Sequence, residues 1–169
     1  MPLEDLSPLD RLQHRALANS LSKWVMSMYN RLRPLPEIRK WSSFAYFPEK
    51  DVIAVEHLPI DTLDAYRFLH EVFHAVGYRA HPAPSPEMEE LVAFVASAMM
   101  IAEHINSSYV FKLTGKRVFG AALDPTVATE IARDRIEWLT GTRPNCRVFQ
   151  DGPRKLFIIP PGQEKYLEL

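Results

Sequence analysis

The feature that most constrains the fold is the segment RFLHEVFHAVGYRAH, residues 67–81, in which two histidines lie four residues apart and a glutamate follows the first. On an α-helix, residues four apart lie one above the other on the same face. The pattern therefore predicts that His70 and His74 project from one helix and can reach a single metal ion. Glu71 is turned about 100° further round such a helix, so its carboxylate can lie beside the ion without being a ligand.

This arrangement of residue types suits zinc-assisted hydrolysis. Two imidazoles and one further protein ligand can hold Zn²⁺ with a fourth position left for water. The ion lowers the pKa of that water and polarises a scissile carbonyl, and a neighbouring carboxylate takes the proton. We therefore expect one zinc ion per chain, bound by His70 and His74, with Glu71 as the catalytic base.

Independent signals place the motif on a helix and predict a second helix after it. Asp61 is a typical N-cap residue and Gly77 a typical helix end, which predicts a helix over 62–76. The proline-rich loop HPAPSP follows. Ser85 and Pro86 then form a cap and first-turn pair, which predicts a long helix from Pro86 to Asn106.

The other elements predict an α+β fold. The expected elements are an N-terminal helix over 8–31, strands over 42–47 and 51–57, a helix from Asp124 to about Leu139, and a hairpin formed by CRVFQ and KLFIIP. We expect a single domain over residues 1–169, with a metal-binding core at about 44–106 and the C-terminal helix and hairpin at 124–160.

The third metal ligand must come from outside the histidine pair. Its candidates are Glu87, Glu89, Glu90, His81, Glu103 and His104. Residue 104 would lie about 21 Å along the helix from residue 90, so the far end of that helix cannot share an ion with its start. His81 has the wrong spacing from His74 for the extended histidine pattern of zinc hydrolases. A carboxylate near the start of the second helix is favoured.

Several motifs occur together in an order that resembles a known family. They are Ala45-Tyr46-Phe47, Val52-Ile53-Ala54-Val55, His70 to Gly77, and Glu89-Glu90-Leu91-Val92-Ala93. In this order they resemble the zincin-like metallopeptidase domain of plasmid antirestriction proteins (the ArdC group) and its phage relatives. The likeness covers roughly residues 44–106. Two departures are Phe94, where the group often has an acidic residue, and residues 1–43, which are too short for the group's DNA-binding domain.

The resemblance implies a gluzincin-like site with His70, His74 and a glutamate of the EELVA segment as ligands, and Glu71 as base. Ideal helix geometry favours Glu90 for the third ligand, because Phe94, Ser97 and Ile101 follow it on one stripe of apolar and small residues. Glu89 lies about 100° away from that stripe and is expected at the surface. It remains the alternative if the helix phase differs by one residue.

Composition and charge limit the partners. The formal net charge is -1, so nothing points to nucleic acid or to an anionic membrane. The basic residues around Trp41 are interpreted as a solvated linker rather than a phosphate-binding patch: Arg31, Arg33, Arg39 and Lys40. Cys146 is the only cysteine, and the acidic start MPLEDLSPLD has no apolar signal region, so a cytoplasmic protein is expected.

Two functions follow as hypotheses. The first is a zinc-dependent metallopeptidase-like protein that hydrolyses a peptide or amide bond of a peptide or protein substrate. The alternative is a non-catalytic, antirestriction-type interaction protein of a mobile element, such as a phage or plasmid, that binds a host protein or DNA. Glu71 separates the two, because a purely structural zinc site has no use for a base at that position.

Overall fold

The computed structural model describes residues 7–8, 20–106, 109–112, 124–150 and 155–161. Within these residues the chain has four helices and two small sheets, which confirms the α+β class. The chain divides into two compact units, Met1–Arg79 and Ala80–Leu169, and each is described by itself. The expectation of one domain over the whole chain stays a prediction.

The first unit combines two helices with a four-stranded sheet. Its elements are β1 (Ser7–Pro8), α1 (Ser20–Tyr29), β2 (Glu37–Lys40), β3 (Ala45–Phe47), β4 (Val52–Val55) and α2 (Thr62–Arg79). The strand order is β1-β2-β4-β3. Strands β2 and β4 run parallel, whereas β1 and β3 pair antiparallel with their neighbours. Strand β4 is buried throughout and is, with β2, one of the two inner strands of the sheet.

The second unit contains the two remaining helices and a three-stranded antiparallel sheet. Its elements are α3 (Pro86–Ile105), β5 (Tyr109–Lys112), α4 (Pro125–Thr140), β6 (Arg147–Gln150) and β7 (Lys155–Ile159). The strand order is β5-β7-β6. The hairpin predicted from CRVFQ and KLFIIP is therefore present as β6 and β7, although its turn, residues 151–154, lies outside the described residues. Strand β5 was not predicted.

Cap residues explain where α3 and α4 begin and end. The Ser85 hydroxyl accepts a hydrogen bond from the Met88 backbone N–H at 3.1 Å, and Asp124 accepts one from the Thr126 N–H at 2.9 Å. Asn106 and Gly141 end the two helices in left-handed conformations, with φ of 51° and 81°. These are the conformations that stop a helix while its last carbonyls keep partners.

Three predictions about the first unit are corrected. Pro8 does not begin a helix, because Ser7 and Pro8 pair with Lys40 and Arg39 as strand β1. Within the described residues the first helix is Ser20–Tyr29, and residues 9–19 lie outside them. The segment Glu37–Lys40, interpreted as part of a basic linker, is strand β2, which pairs with the buried strand β4.

Helix α2 also runs further than predicted. Gly77 does not end it, and the helix continues to Arg79. The Arg79 guanidinium donates to the Ala75 carbonyl at 2.9 Å, which satisfies an acceptor in the last turn. Glycine can stop a helix by adopting a left-handed conformation, but in α2 it lies buried inside the helix.

Apolar packing fixes α2 in the first unit. Phe68, Leu69 and Phe73 are fully buried on this helix. The ring of Tyr29 on α1 meets Phe68 edge-on, with centroids 5.9 Å apart. Burial of such side chains contributes about 1.5–3 kcal/mol each, so the core rather than helix propensity holds α2 in place.

A polar clamp ties the end of α2 to the sheet. The Arg79 guanidinium donates to both carboxylate oxygens of Asp51, at 2.7 and 2.8 Å, and to the Pro34 carbonyl at 2.6 Å. It also donates to the Tyr46 hydroxyl at 3.3 Å, and that hydroxyl donates to Asp51 at 2.6 Å. The short contacts of one guanidinium nitrogen with both carboxylate oxygens form a charge-assisted ion pair, which connects α2 to strand β3 and to the turn before β4.

None of the helices in the described ranges combines the length and the apolarity that a membrane crossing requires.

Candidate metal centre

The two histidines of the opening motif meet on α2. The Nε2 atoms of His70 and His74 are 2.9 Å apart, and the two rings are almost perpendicular, with centroids 4.5 Å apart. His70 is buried, with 7% of its surface exposed, and His74 is half-buried. The spacing of four residues therefore brings the two nitrogens together as the sequence predicted.

The separation of these nitrogens suits a shared ion. Two neutral imidazoles can approach this closely if one donates a proton to the other, or if both direct lone pairs to one cation. Two imidazoles on a tetrahedral zinc ion, with Zn–N of about 2.0–2.1 Å, have nitrogens about 3.3 Å apart. A change of a few tenths of an ångström in side-chain position would reach that value. The pair therefore fits zinc.

Glu71 lies next to the histidine pair and is buried. Its Oε1 atom is 4.0 Å from Nε2 of His70, and 6% of the residue is exposed. A buried carboxylate is costly unless it has a charged or polar partner, so its position beside the two imidazoles is consistent with a local cation. A position beside the histidine nitrogens is the one expected for a general base that does not bind the metal itself.

Glu90 lies near the start of α3, in the second unit, and is half-buried. Two histidines and one carboxylate form a ligand set that catalytic zinc sites use. The role of Glu90 as the third ligand stays a prediction.

Glu89, the alternative, is engaged elsewhere. Its two carboxylate oxygens accept hydrogen bonds from the Arg135 guanidinium on α4, at 2.6 and 2.7 Å. Arg135 is fully buried, and its Nε also donates to the His81 carbonyl at 3.0 Å. Glu89 was expected at the surface but is half-buried. Its carboxylate neutralises a buried guanidinium, which leaves Glu90 as the better candidate ligand.

The remaining candidates for the third metal ligand differ in exposure and in hydrogen-bond partners. Glu87 and His81 are exposed. Glu103 accepts a hydrogen bond from the Asn145 backbone N–H at 2.9 Å and one from the Cys146 thiol, with Sγ at 3.4 Å. Partial burial lowers the pKa of His104, which lies in the last turn of α3.

Cys146 is a buried free thiol. Burial, followed by the charge of Glu103, raises its pKa. The thiol therefore stays protonated near neutral pH and is a poor nucleophile or metal ligand.

Three tyrosines whose hydroxyls are chemically able to stabilise an oxyanion, Tyr46, Tyr78 and Tyr109, differ in accessibility. The Tyr46 hydroxyl is held by Asp51 and Arg79, and burial followed by its bond to Asp51 raises its pKa to about 12. Tyr78 is exposed. The side chain of Tyr109 lies outside the described residues.

The basic residues near Trp41 are partly engaged within the first unit. Arg39 pairs with Glu37 on the same strand at 2.9 Å. Arg33 donates to the carbonyls of Asn30 and Leu32, both at 2.7 Å. These contacts favour a structural role for the two arginines over a phosphate-binding patch.

Comparison of the chain with protein-family models, with curated proteins and with solved structures gave no match. The resemblance to the antirestriction group therefore rests on the quoted motifs alone.

Proposed function

We propose that this chain is a zinc-dependent hydrolase of peptide or amide bonds. In this proposal His70, His74 and Glu90 hold one zinc ion, and Glu71 is the general base. The observation that carries it is the pair of Nε2 atoms 2.9 Å apart on α2, with the buried Glu71 carboxylate beside them. A zincin-like arrangement of the motif helix, a second ligand-bearing helix and a small sheet belongs to the same proposal.

The three ligands have distinct electronic roles. His70 and His74 bind through Nε2 as neutral rings, so each must carry its proton on Nδ1. Glu90 contributes one negative charge, which leaves a net positive charge on a centre with a divalent ion. Zinc bound there supplies Lewis acidity, which polarises the substrate carbonyl and acidifies water.

Glu71 moves the proton. Its carboxylate accepts a proton from the attacking water and then passes it to the leaving amine nitrogen, so the base is regenerated in each turnover. Burial removes most of its rotamer freedom, and the carboxylate is thus positioned before substrate arrives. Such a pre-positioned base has no function in a site that only holds the fold together.

Hydrolysis of a peptide library tests the proposal. Zinc-loaded protein is expected to cleave a subset of peptides, a chelator should stop cleavage, and added zinc should restore it. The products should be a new carboxylate and a new amine, detected by mass spectrometry. Zinc-loaded protein that cleaves no peptide or amide in a broad library would contradict the proposal and favour the non-catalytic interaction protein.

A further inference from the structure

Tyr78 lies one helical turn beyond the metal-binding pair. It follows His74 by four residues and His70 by eight, so the three side chains share one stripe of α2. The rise of the helix places its Cα about 6 Å further along the axis than that of His74. The residue is 66% exposed, although most of the apolar residues on this helix are fully buried.

The ring of Tyr78 is braced by the first unit. It contacts the Tyr46 ring edge-on, with centroids 6.3 Å apart and an interplanar angle of 62°. Tyr46 is itself fixed, because its hydroxyl bonds to Asp51 and Arg79. Two aromatic rings therefore lie side by side, and the exposed one belongs to the same helix as the histidine pair.

We propose that Tyr78 is a specificity-determining residue that binds an apolar, preferably aromatic, substrate side chain next to the scissile bond. This inference rests on the proposed function, since it needs a substrate held at the histidine pair. A rigid phenol ring offers contact area at little cost in conformational entropy. Aromatic side chains pack against such rings in offset or edge-on geometry.

The ring, rather than the hydroxyl, carries this role. The contact with Tyr46 braces the ring of Tyr78 and leaves the residue largely exposed. A role as oxyanion donor would instead depend on the hydroxyl proton. The variants Tyr78→Phe and Tyr78→Ala separate the two roles, because the first keeps the ring and the second removes it.

Binding of two hydroxamates to zinc-loaded protein tests the inference without needing a known substrate. Acetohydroxamate carries only a methyl group, and 3-phenylpropanohydroxamate carries a phenyl ring on the same zinc-binding group. Native protein is expected to bind the phenyl compound roughly tenfold more tightly or better, from burial of the ring. Tyr78→Phe should keep that preference and Tyr78→Ala should lose it.

Leu63→Ala is the matched control, because Leu63 is also an exposed apolar residue on α2 but lies 15 positions before Tyr78. It should keep the preference. Equal affinity of native protein for the two compounds, loss of the preference in Tyr78→Phe, or its survival in Tyr78→Ala would each overturn the inference while leaving the metal centre intact. If neither compound binds, the proposed function fails, and this inference fails with it.

Discussion

Replacing Glu71 with glutamine is expected to reduce hydrolysis by about 10²–10⁴-fold, because an amide cannot accept a proton from water. Zinc content should not change, since Glu71 is proposed as base and not as ligand. The substitution preserves the shape of the side chain, and it removes a buried charge, so the fold should tolerate it. The measurement is kcat/KM on a peptide that native protein cleaves, together with zinc content.

Glu87→Gln is the control for this variant. Glu87 is an exposed glutamate in the first turn of α3. Its substitution also replaces a carboxylate with an amide, but at a position away from the proposed base. Its activity should match that of native protein. Full activity in Glu71→Gln would show that another group takes the proton, and would remove the main argument against a purely structural ion.

Replacing Glu90 with alanine is expected to weaken zinc affinity by more than about 100-fold. Removal of groups that merely support a ligand already costs about 10–100-fold, and a ligand contributes more. The change also removes the only negative charge among the proposed ligands. Competition with a chelating dye measures the affinity, and the stability of the metal-free protein should change little, because Glu90 is only half-buried.

Glu89→Ala is expected to lower the stability of the protein and to leave its zinc affinity unchanged, the reverse of the effects of Glu90→Ala. It removes the carboxylate that faces the Arg135 guanidinium, which is fully buried, while Glu89 itself is 26% exposed. Loss of one partner of a buried ion pair, discounted for this exposure, should lower the free energy of unfolding by about 2–4 kcal/mol. Zinc affinity of the folded protein should stay close to native. Glu87→Ala should alter neither quantity, and a reversed order of zinc affinities would assign the ligand to Glu89.

Local signals in the sequence were sufficient for the starts of three of the four described helices. Asp61, Ser85 with Pro86, and Asp124 marked the starts of α2, α3 and α4, since capping involves only neighbouring residues. The histidine pair was also predicted from local sequence, because a spacing of four positions on one helix determines how far apart the two rings lie.

Elements that depend on distant partners were not predictable in this way. Strand β2 contains only one apolar residue, Ile38, and it is a strand because it pairs with Ile53 and its neighbours in β4. Strand β1 is defined by two residues that pair about 30 positions further along the chain. No spacing rule in the sequence predicts pairing between such distant residues, and Pro8 was therefore assigned to the start of a helix.

The choice between Glu89 and Glu90 shows the same limit. The sequence favoured Glu90 because an apolar stripe follows it on the helix. In the structure α3 is buried on almost all sides from Leu91 to Ala102, and both glutamates are half-buried, so the stripe does not distinguish them. What distinguishes them is Arg135, which is 46 residues from Glu89. The Arg79 clamp on Asp51, across 28 residues, was missed for the same reason.

Zinc binding by the purified protein tests the central claim most directly. Protein prepared without chelators and without a histidine tag should contain about one equivalent of zinc, and metal-free protein should take up one equivalent on titration. His74→Ala should lose this binding, because it removes one of the two nitrogens that lie 2.9 Å apart. A native protein with a zinc content near zero and no uptake on titration would contradict the account.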